Sequence, residues 1–230
     1  DLLKAGSYFP QMDIFTNMDK ANKKRLKHPK LVQLFNRMAT YNGSSPYLTP
    51  GIMTIISSLE HGYGVYFPEG GMYAITESLV ALAEELGVSF HYQTPVEKIM
   101  HRGKSVTGIE TQDGSHYPAD VVVSNMDVYH SYKKLLKDLR APERTLRQER
   151  SSSALVFYWG INREFPELDL HNIFFSKNYP EEFNYLFQKQ EMYHDPTVYV
   201  HISSKVNPED APPGHESWFV MVNAPHNVGQ

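Results

Sequence analysis

The stretch YFPEGGMYAITESLVALAEELGVSFHYQTPVEKI, Tyr66 to Ile99, and its continuation DGSHYPADVVVSNMD, Asp113 to Asp127, decide the fold class. Gly70 and Gly71 stand just ahead of a run in which Met72, Ile75, Leu79, Leu82 and Leu86 recur at helical spacing. Gly87 is a natural stop, because a residue without Cβ adopts the left-handed conformation that closes helices. Val88 to Tyr92 alternates as a strand does. Val96 to Met100, Val106 to Glu110 and the short piece before Ala119 read as an antiparallel ribbon, turned at Arg102-Gly103 and Asp113-Gly114. Val121-Val122-Val123 is β-branched throughout, the pattern of a strand buried on both faces. This order predicts an α/β domain over residues 65–136, with Val65-Tyr66-Phe67 as a short strand or lead-in.

On either side the pattern changes. Residues 1–64 read as helical: Pro29 opens LVQLFNRMATY, and NGSSP at Asn42 to Pro46 ends it. After Pro50, Ile52, Ile55, Ile56 and Leu59 make one apolar stripe. In residues 137–230, LRAPERTLRQER is charged and expected to be helical. SSALVFYWGI, NIFFS, TVYVHIS and SWFVMV then read as four strands of an antiparallel sheet that could floor a cavity.

Composition excludes several classes. A net charge of −4 gives no strong field for nucleic acid, and the absence of cysteine removes disulfides, thiolate metal sites and a cysteine nucleophile. No run approaches the ~20 apolar residues that span a bilayer. The start, DLLKAGSYFP, carries neither an initiator Met nor a signal pattern, so the chain is expected to begin inside a longer protein.

The motifs that carry chemistry are few. The pyrophosphate-cradling G-x-G-x-x-G is absent; Gly62-Tyr63-Gly64 has Phe67 where the third glycine belongs. Gly70-Gly71 would let a ligand approach the backbone closely, or simply turn the chain into its helix. Ser124-Asn125-Met126 ends the valine strand, where α/β sheets bind ligands, or caps the helix that follows. None of the 11 histidines has H-E-x-x-H spacing, and no metal site is expected. His171 and His201 flank strands and could face a cavity. Ser151 to Ser153 lack a nucleophile-elbow pattern. The basic run Lys20, Lys23, Lys24, Arg25, Lys27 and Lys30 is a solvated helix face or an anionic-surface contact.

Seven segments in order resemble one family. They are TYNGSSPYLTP (Thr40 to Pro50), LEHGYGVYFPEGGMYAI (Leu59 to Ile75), ADVVVSNMD (Ala119 to Asp127) followed by HSYKKLL, SSSALVFYWGIN (Ser151 to Asn162), LHNIFFS (Leu170 to Ser176), DPTVYV (Asp195 to Val200) and APPG (Ala211 to Gly214). Together they resemble the bacterial and fungal type of phytoene desaturase, the carotenoid branch of the FAD-dependent, amine-oxidase-like oxidoreductases.

The resemblance implies a Rossmann-type FAD domain, with residues 65–136 as its central segment. Residues 1–64 and 137–230 would be parts of an inserted α+β substrate domain. It implies FAD near Gly70, Gly71, Val96, Ser124, Asn125 and Met126, and a pocket lined by Tyr158, His171 and Tyr199, with no catalytic residue assigned. The implied reaction removes an allylic hydride to the flavin and a proton from the neighbouring carbon, creating a double bond in an apolar polyene. A lipid-borne carotenoid implies a peripheral protein on the inner, cytoplasmic face of the membrane, through the basic run and the Ile52 to Leu59 stripe. A hydroxycarotenoid 3,4-desaturase, a carotenoid isomerase or retinol saturase relative, and a non-catalytic fragment holding an apolar ligand stay open beside it.

Overall fold

The computed structural model describes residues 12–226. Contacts divide the chain into two units, Asp1–Val65 with Arg150–Gln230, and Tyr66–Glu149.

The first unit begins with helices. Asn17 caps α1 (Met18–Arg25) by accepting from the Lys20 amide, and its own amide donates to the Tyr47 carbonyl at 2.8 Å. Pro29 occupies the first turn of α2 (Pro29–Asn36), where its missing N–H costs nothing. The two helices are tied by a buried relay: Asn22 donates to Asn36 at 2.8 Å, and Asn36 to Asp19 at 2.9 Å. A 3₁₀ segment, Arg37–Asn42, continues α2 and stops at Gly43, whose φ is +57°. Any Cβ at Gly43 would also lie 2.6 Å from that of Ser151. The Ser152 amide donates to the Gly43 carbonyl at 2.8 Å. A second 3₁₀ segment, Gly51–Thr54, leads into α3 (Ile55–Tyr63).

The second unit holds α4 (Tyr73–Glu85) and an antiparallel ribbon of β1 (Val96–Arg102), β2 (Ser105–Thr111) and β3 (His116–Pro118). Gly87 ends α4 with φ +85°, and Gly103 and Gly114 take positive φ at the expected turns. Gly108 is obligatory: a Cβ there would sit 2.2 Å from the Tyr117 carbonyl oxygen. Lys98 pairs with Asp138, and Lys137 with Glu97, fastening the segment after the π-type turn Ser131–Leu135 onto β1.

Several expected elements did not form here. Val88 to Tyr92 is not a strand, although Phe90 and Tyr92 still stack, with ring centroids 5.9 Å apart. Val121 to Val123 is irregular and open, Val121 being 76% and Val123 89% exposed. Val65 to Phe67 is irregular too. A strand needs a neighbour for its backbone groups, and none of these segments has one among the described residues. The charged run after residue 137 holds only one helical turn, Glu143–Leu146.

The first unit resumes with β4 (Ser153–Ile161), β5 (His171–Phe174), α5 (Tyr179–Asn184), β6 (Val198–Ile202) and β7 (Glu216–Ala224). The strands form one antiparallel sheet in the order β4-β7-β6-β5. One face carries the core, Val200, Ile202 and Val220 with Leu168, Val198 and Trp218 packed against them. Each such buried side chain contributes about 1.5–3 kcal/mol. Behind β7, Glu216 receives Lys205 and the Trp218 indole, both at 2.7 Å, and the Phe165 amide at 2.9 Å. Burial pushes the Glu216 carboxyl up, but these donors outweigh it and hold the group below the usual carboxylate range.

Candidate functional site

The register of this sheet builds the site. Tyr158 faces Phe219, Phe219 faces His201, and His201 faces His171. Directly opposed residues share a face, so four rings form one row across all four strands, about 14 Å at ~4.8 Å per strand. Tyr158 and Phe219 meet edge-on at 5.5 Å, and His171 and His201 lie 5.2 Å apart. The adjacent row is Val156, Met221, Tyr199 and Ile173. This face is opposite the valine-rich core, and Tyr158 is 80% exposed on it.

The β5–β6 end of the face is polar. The Tyr199 hydroxyl and His171 Nδ1 share a hydrogen bond of 2.8 Å. The His201 ring makes no hydrogen bond among the described residues, and burial, then the neighbouring His171, hold it below its ordinary value, so it is neutral at pH 7. The Arg37 guanidinium lies over the Tyr199 ring, 5.7 Å from its centre. Arg37 is only 8% exposed, and its Nη1 has no hydrogen-bond partner among the described residues. The Tyr41 hydroxyl donates to Glu60 at 2.7 Å, which with burial pushes the phenol up to about 12. Burial raises the Glu182 carboxyl even though the Thr197 amide and hydroxyl both donate to it, at 2.9 and 2.6 Å.

Tyr158, His171 and Tyr199 thus share one sheet face. Phe219, Met221, Arg37 and Tyr41 were not legible as site residues. Strand alternation placed Phe219 and Met221 on one side of β7, but which strands pair, and in what register, is not written in a local pattern.

In the second unit, Gly70 and Gly71 take φ of +81° and +85° at the start of α4. A Cβ would meet only Ala74 at Gly70 and nothing at Gly71, so conformation, not crowding, requires glycine there. Ser124 bonds the Ser131 hydroxyl at 2.9 Å and accepts from the Met126 amide at 3.3 Å. The cap of the next helical turn is Asp127, which accepts from the Tyr129 amide at 2.8 Å, rather than Ser124 or Asn125. Asn125 is exposed, and Val96 opens β1 half-buried. No hydrogen bond links these three groups among the described residues. Gly70 and Gly71 leave their backbone open to a ligand; a glycine cradle for the pyrophosphate of a flavin nucleotide is missing from the sequence.

Near the helices, Met12, Leu26, Phe35, Ile52 and Ile55 wall a hollow of about 340 Å³, with Arg25 on its rim. Of the basic run, Lys23 pairs with Asp19, and Lys24 and Arg25 with Asp13. Lys20, Lys27 and Lys30 make no ion pair among the described residues. Among the described residues no helix is long and apolar enough to cross a membrane, and no cluster of ligating side chains could hold a metal ion.

Comparison with known proteins gives one consistent family. The chain is 56% identical over 228 residues to a 1-hydroxycarotenoid 3,4-desaturase of Flavobacterium sp. (strain P99-3), covering 99% of this chain and 46% of that protein. It is 34% identical to a 4,4'-diapolycopene oxygenase of Methylomonas sp, over 93% of this chain and 43% of that one. It is 36% identical to a phytoene desaturase of Phycomyces blakesleeanus, over 88% and 36%. The chain therefore spans about half the length of these relatives, or less. Its fold matches that of an oxidoreductase from Methanosarcina mazei, with a TM-score of 0.62 at 15% identity over 98% of this chain and 52% of the other. The model of the flavin containing amine oxidoreductases matches residues 11–227, and the chain belongs to that family.

Proposed function

We propose that the whole protein is an FAD-dependent carotenoid desaturase, and that this chain supplies the surface that holds the polyene together with one part of the flavin domain. The observation that carries the reading is the 56% identity, along 99% of the chain, to a carotenoid desaturase. When bound, FAD would supply the two-electron acceptor that an unactivated carbon–carbon bond requires. The chain's own residues have a different task. The row from Tyr158 to His171 offers flat, polarizable rings to a linear conjugated molecule, and Met221 and Val156 extend that floor. Gly70, Gly71, Val96 and Ser124 to Met126 would touch the nucleotide. The exposed side of α4 and the Val121 to Val123 segment would pack in a Rossmann-type sheet completed by the remainder of the protein.

A polyene substrate resides in lipid, and on that ground we propose that the protein works at the inner membrane surface. Lys20, Lys27 and Lys30 would contribute roughly 1 kcal/mol each to an anionic bilayer, beside Ile55 and Leu59, which are 51% and 48% exposed. Neutralising the six basic residues should abolish sedimentation with anionic liposomes; undiminished sedimentation would remove this surface from the reading. A hydroxylated carotenoid is the second reading, favoured by the name of the 56% identical relative.

The test is to express the full-length gene in cells accumulating phytoene and, in parallel, in cells accumulating a 1-hydroxylated carotenoid. Each new double bond lengthens the chromophore, so a red-shifted pigment is expected in at least one line. Unchanged pigment in both would refute the desaturase reading.

A further inference from the structure

The aromatic row changes chemical character along its length. Phe219, Met221 and Val156 offer carbon and sulfur only. Toward β5 the same face presents His201, Tyr199 and His171, with the Tyr199–His171 hydrogen bond at 2.8 Å. The Arg37 guanidinium lies over the Tyr199 ring. An apolar floor thus runs into a compact group of hydrogen-bond donors and acceptors.

We propose that this His171–Tyr199–His201 corner recognises a hydroxyl group carried at the end of a linear polyene, and so sets specificity for an oxygenated over a hydrocarbon substrate. The inference rests on the desaturase reading and goes further by assigning the discriminating residues.

The chemistry of the corner favours an alcohol over other oxygen groups. A hydroxyl both donates and accepts hydrogen bonds. A neutral imidazole and a phenol do the same, so the two sides match without any charge. A carboxylate or phosphate would require a cation turned toward it. The Arg37 guanidinium is buried and lies over the Tyr199 ring. A pure hydrocarbon lying over the corner would strip water from His201, Tyr199 and His171 and return no hydrogen bond. Sites of that kind reject analogues that lack the hydroxyl more strongly than apolar pockets reject an extra one. The geometry also sets the substrate's direction. A hydroxyl anchored at β5–β6 leaves the chain to run over Phe219 toward Tyr158.

The experiment uses the full-length protein. Wild type, Tyr199→Phe and His171→Phe are assayed with a 1-hydroxylated carotenoid and with the hydrocarbon that lacks only that oxygen, and flavin absorbance checks that each variant is folded. Tyr199→Phe removes one oxygen atom and keeps the ring, so it is the variant least prone to misfold. Wild type should prefer the hydroxylated substrate. The ratio of the two kcat/KM values should fall about tenfold in Tyr199→Phe, the effect of one lost hydrogen bond, and at least as far in His171→Phe, with most of the change in KM. A ratio that stays at the wild-type value, including one where both activities fall together, would overturn the assignment and leave the corner a structural feature. Wild type that prefers the hydrocarbon would overturn it as well. Wild type that converts neither carotenoid would instead remove the desaturase reading beneath it, and the assignment with it.

Discussion

The sheet of the first unit and the α4 region of the second both carry apolar patterns in sequence and are opposite in outcome. Val200, Ile202 and Val220 are 3%, 0% and 3% exposed. Leu79 and Leu82 on α4 are 61% and 51% exposed, its C-cap Leu86 is 76% exposed, and no residue of that helix is buried. Yet α4 forms, whereas Val121 to Val123 does not become a strand. A helix closes its hydrogen bonds within its own turns. A strand closes them only against another strand. The ribbon β1–β2–β3 succeeds in the same unit because each partner follows within one turn.

Hydrogen exchange would test this contrast most severely. Amides of Val200 and Val220 should exchange about a thousandfold more slowly than those of Val121 to Val123; equal rates would dissolve the distinction. Truncating the core comes next. Ile202→Ala should lower the unfolding free energy by about 3–4 kcal/mol in a denaturant titration.

Breaking the Glu216 cluster with Lys205→Met should cost about 3 kcal/mol, because the buried carboxylate loses its cation. The pH dependence follows from the same group. Its carboxyl titrates lower folded than unfolded, so its contribution is full above the unfolded value of about 4.3 and is lost as pH falls through the folded one. Glu216→Gln should flatten the acid limb of stability against pH; an unchanged limb would assign it to other carboxylates.

The smallest effect is the sharpest for function. Leu82→Ala should shift the stability of this chain by less than about 0.5 kcal/mol, as surface changes do. In the full-length protein the same change is expected to cost about 2 kcal/mol, as the packing proposed for α4 requires. Equal effects in both would count against that packing.

What the sequence made legible was local. Gly87, Gly103 and Gly114 closed their helix and turns where expected, and each of the four sheet strands appeared as an apolar run between Pro and Gly clusters. Val88 to Tyr92, by its alternation, and Val121 to Val123, by its β-branched run, also read as strands, and neither pattern held information about partners. The site was legible in part. Tyr158, His171 and Tyr199 could be named from flanking strands, but the row that joins Tyr158 to His171 through Phe219 and His201 is a property of register. Arg37 sits far from these strands in sequence, in a segment that reads as ordinary helix.

The Gly43 carbonyl that accepts from Ser152 has a consequence for synthesis. It closes the first unit across everything between residues 43 and 152, so helices α1 to α3 emerge from the ribosome well before the sheet they belong with. Until Ser152 arrives, that closure cannot form, and a nascent chain arrested short of it would present the greasy sides of these helices to chaperones.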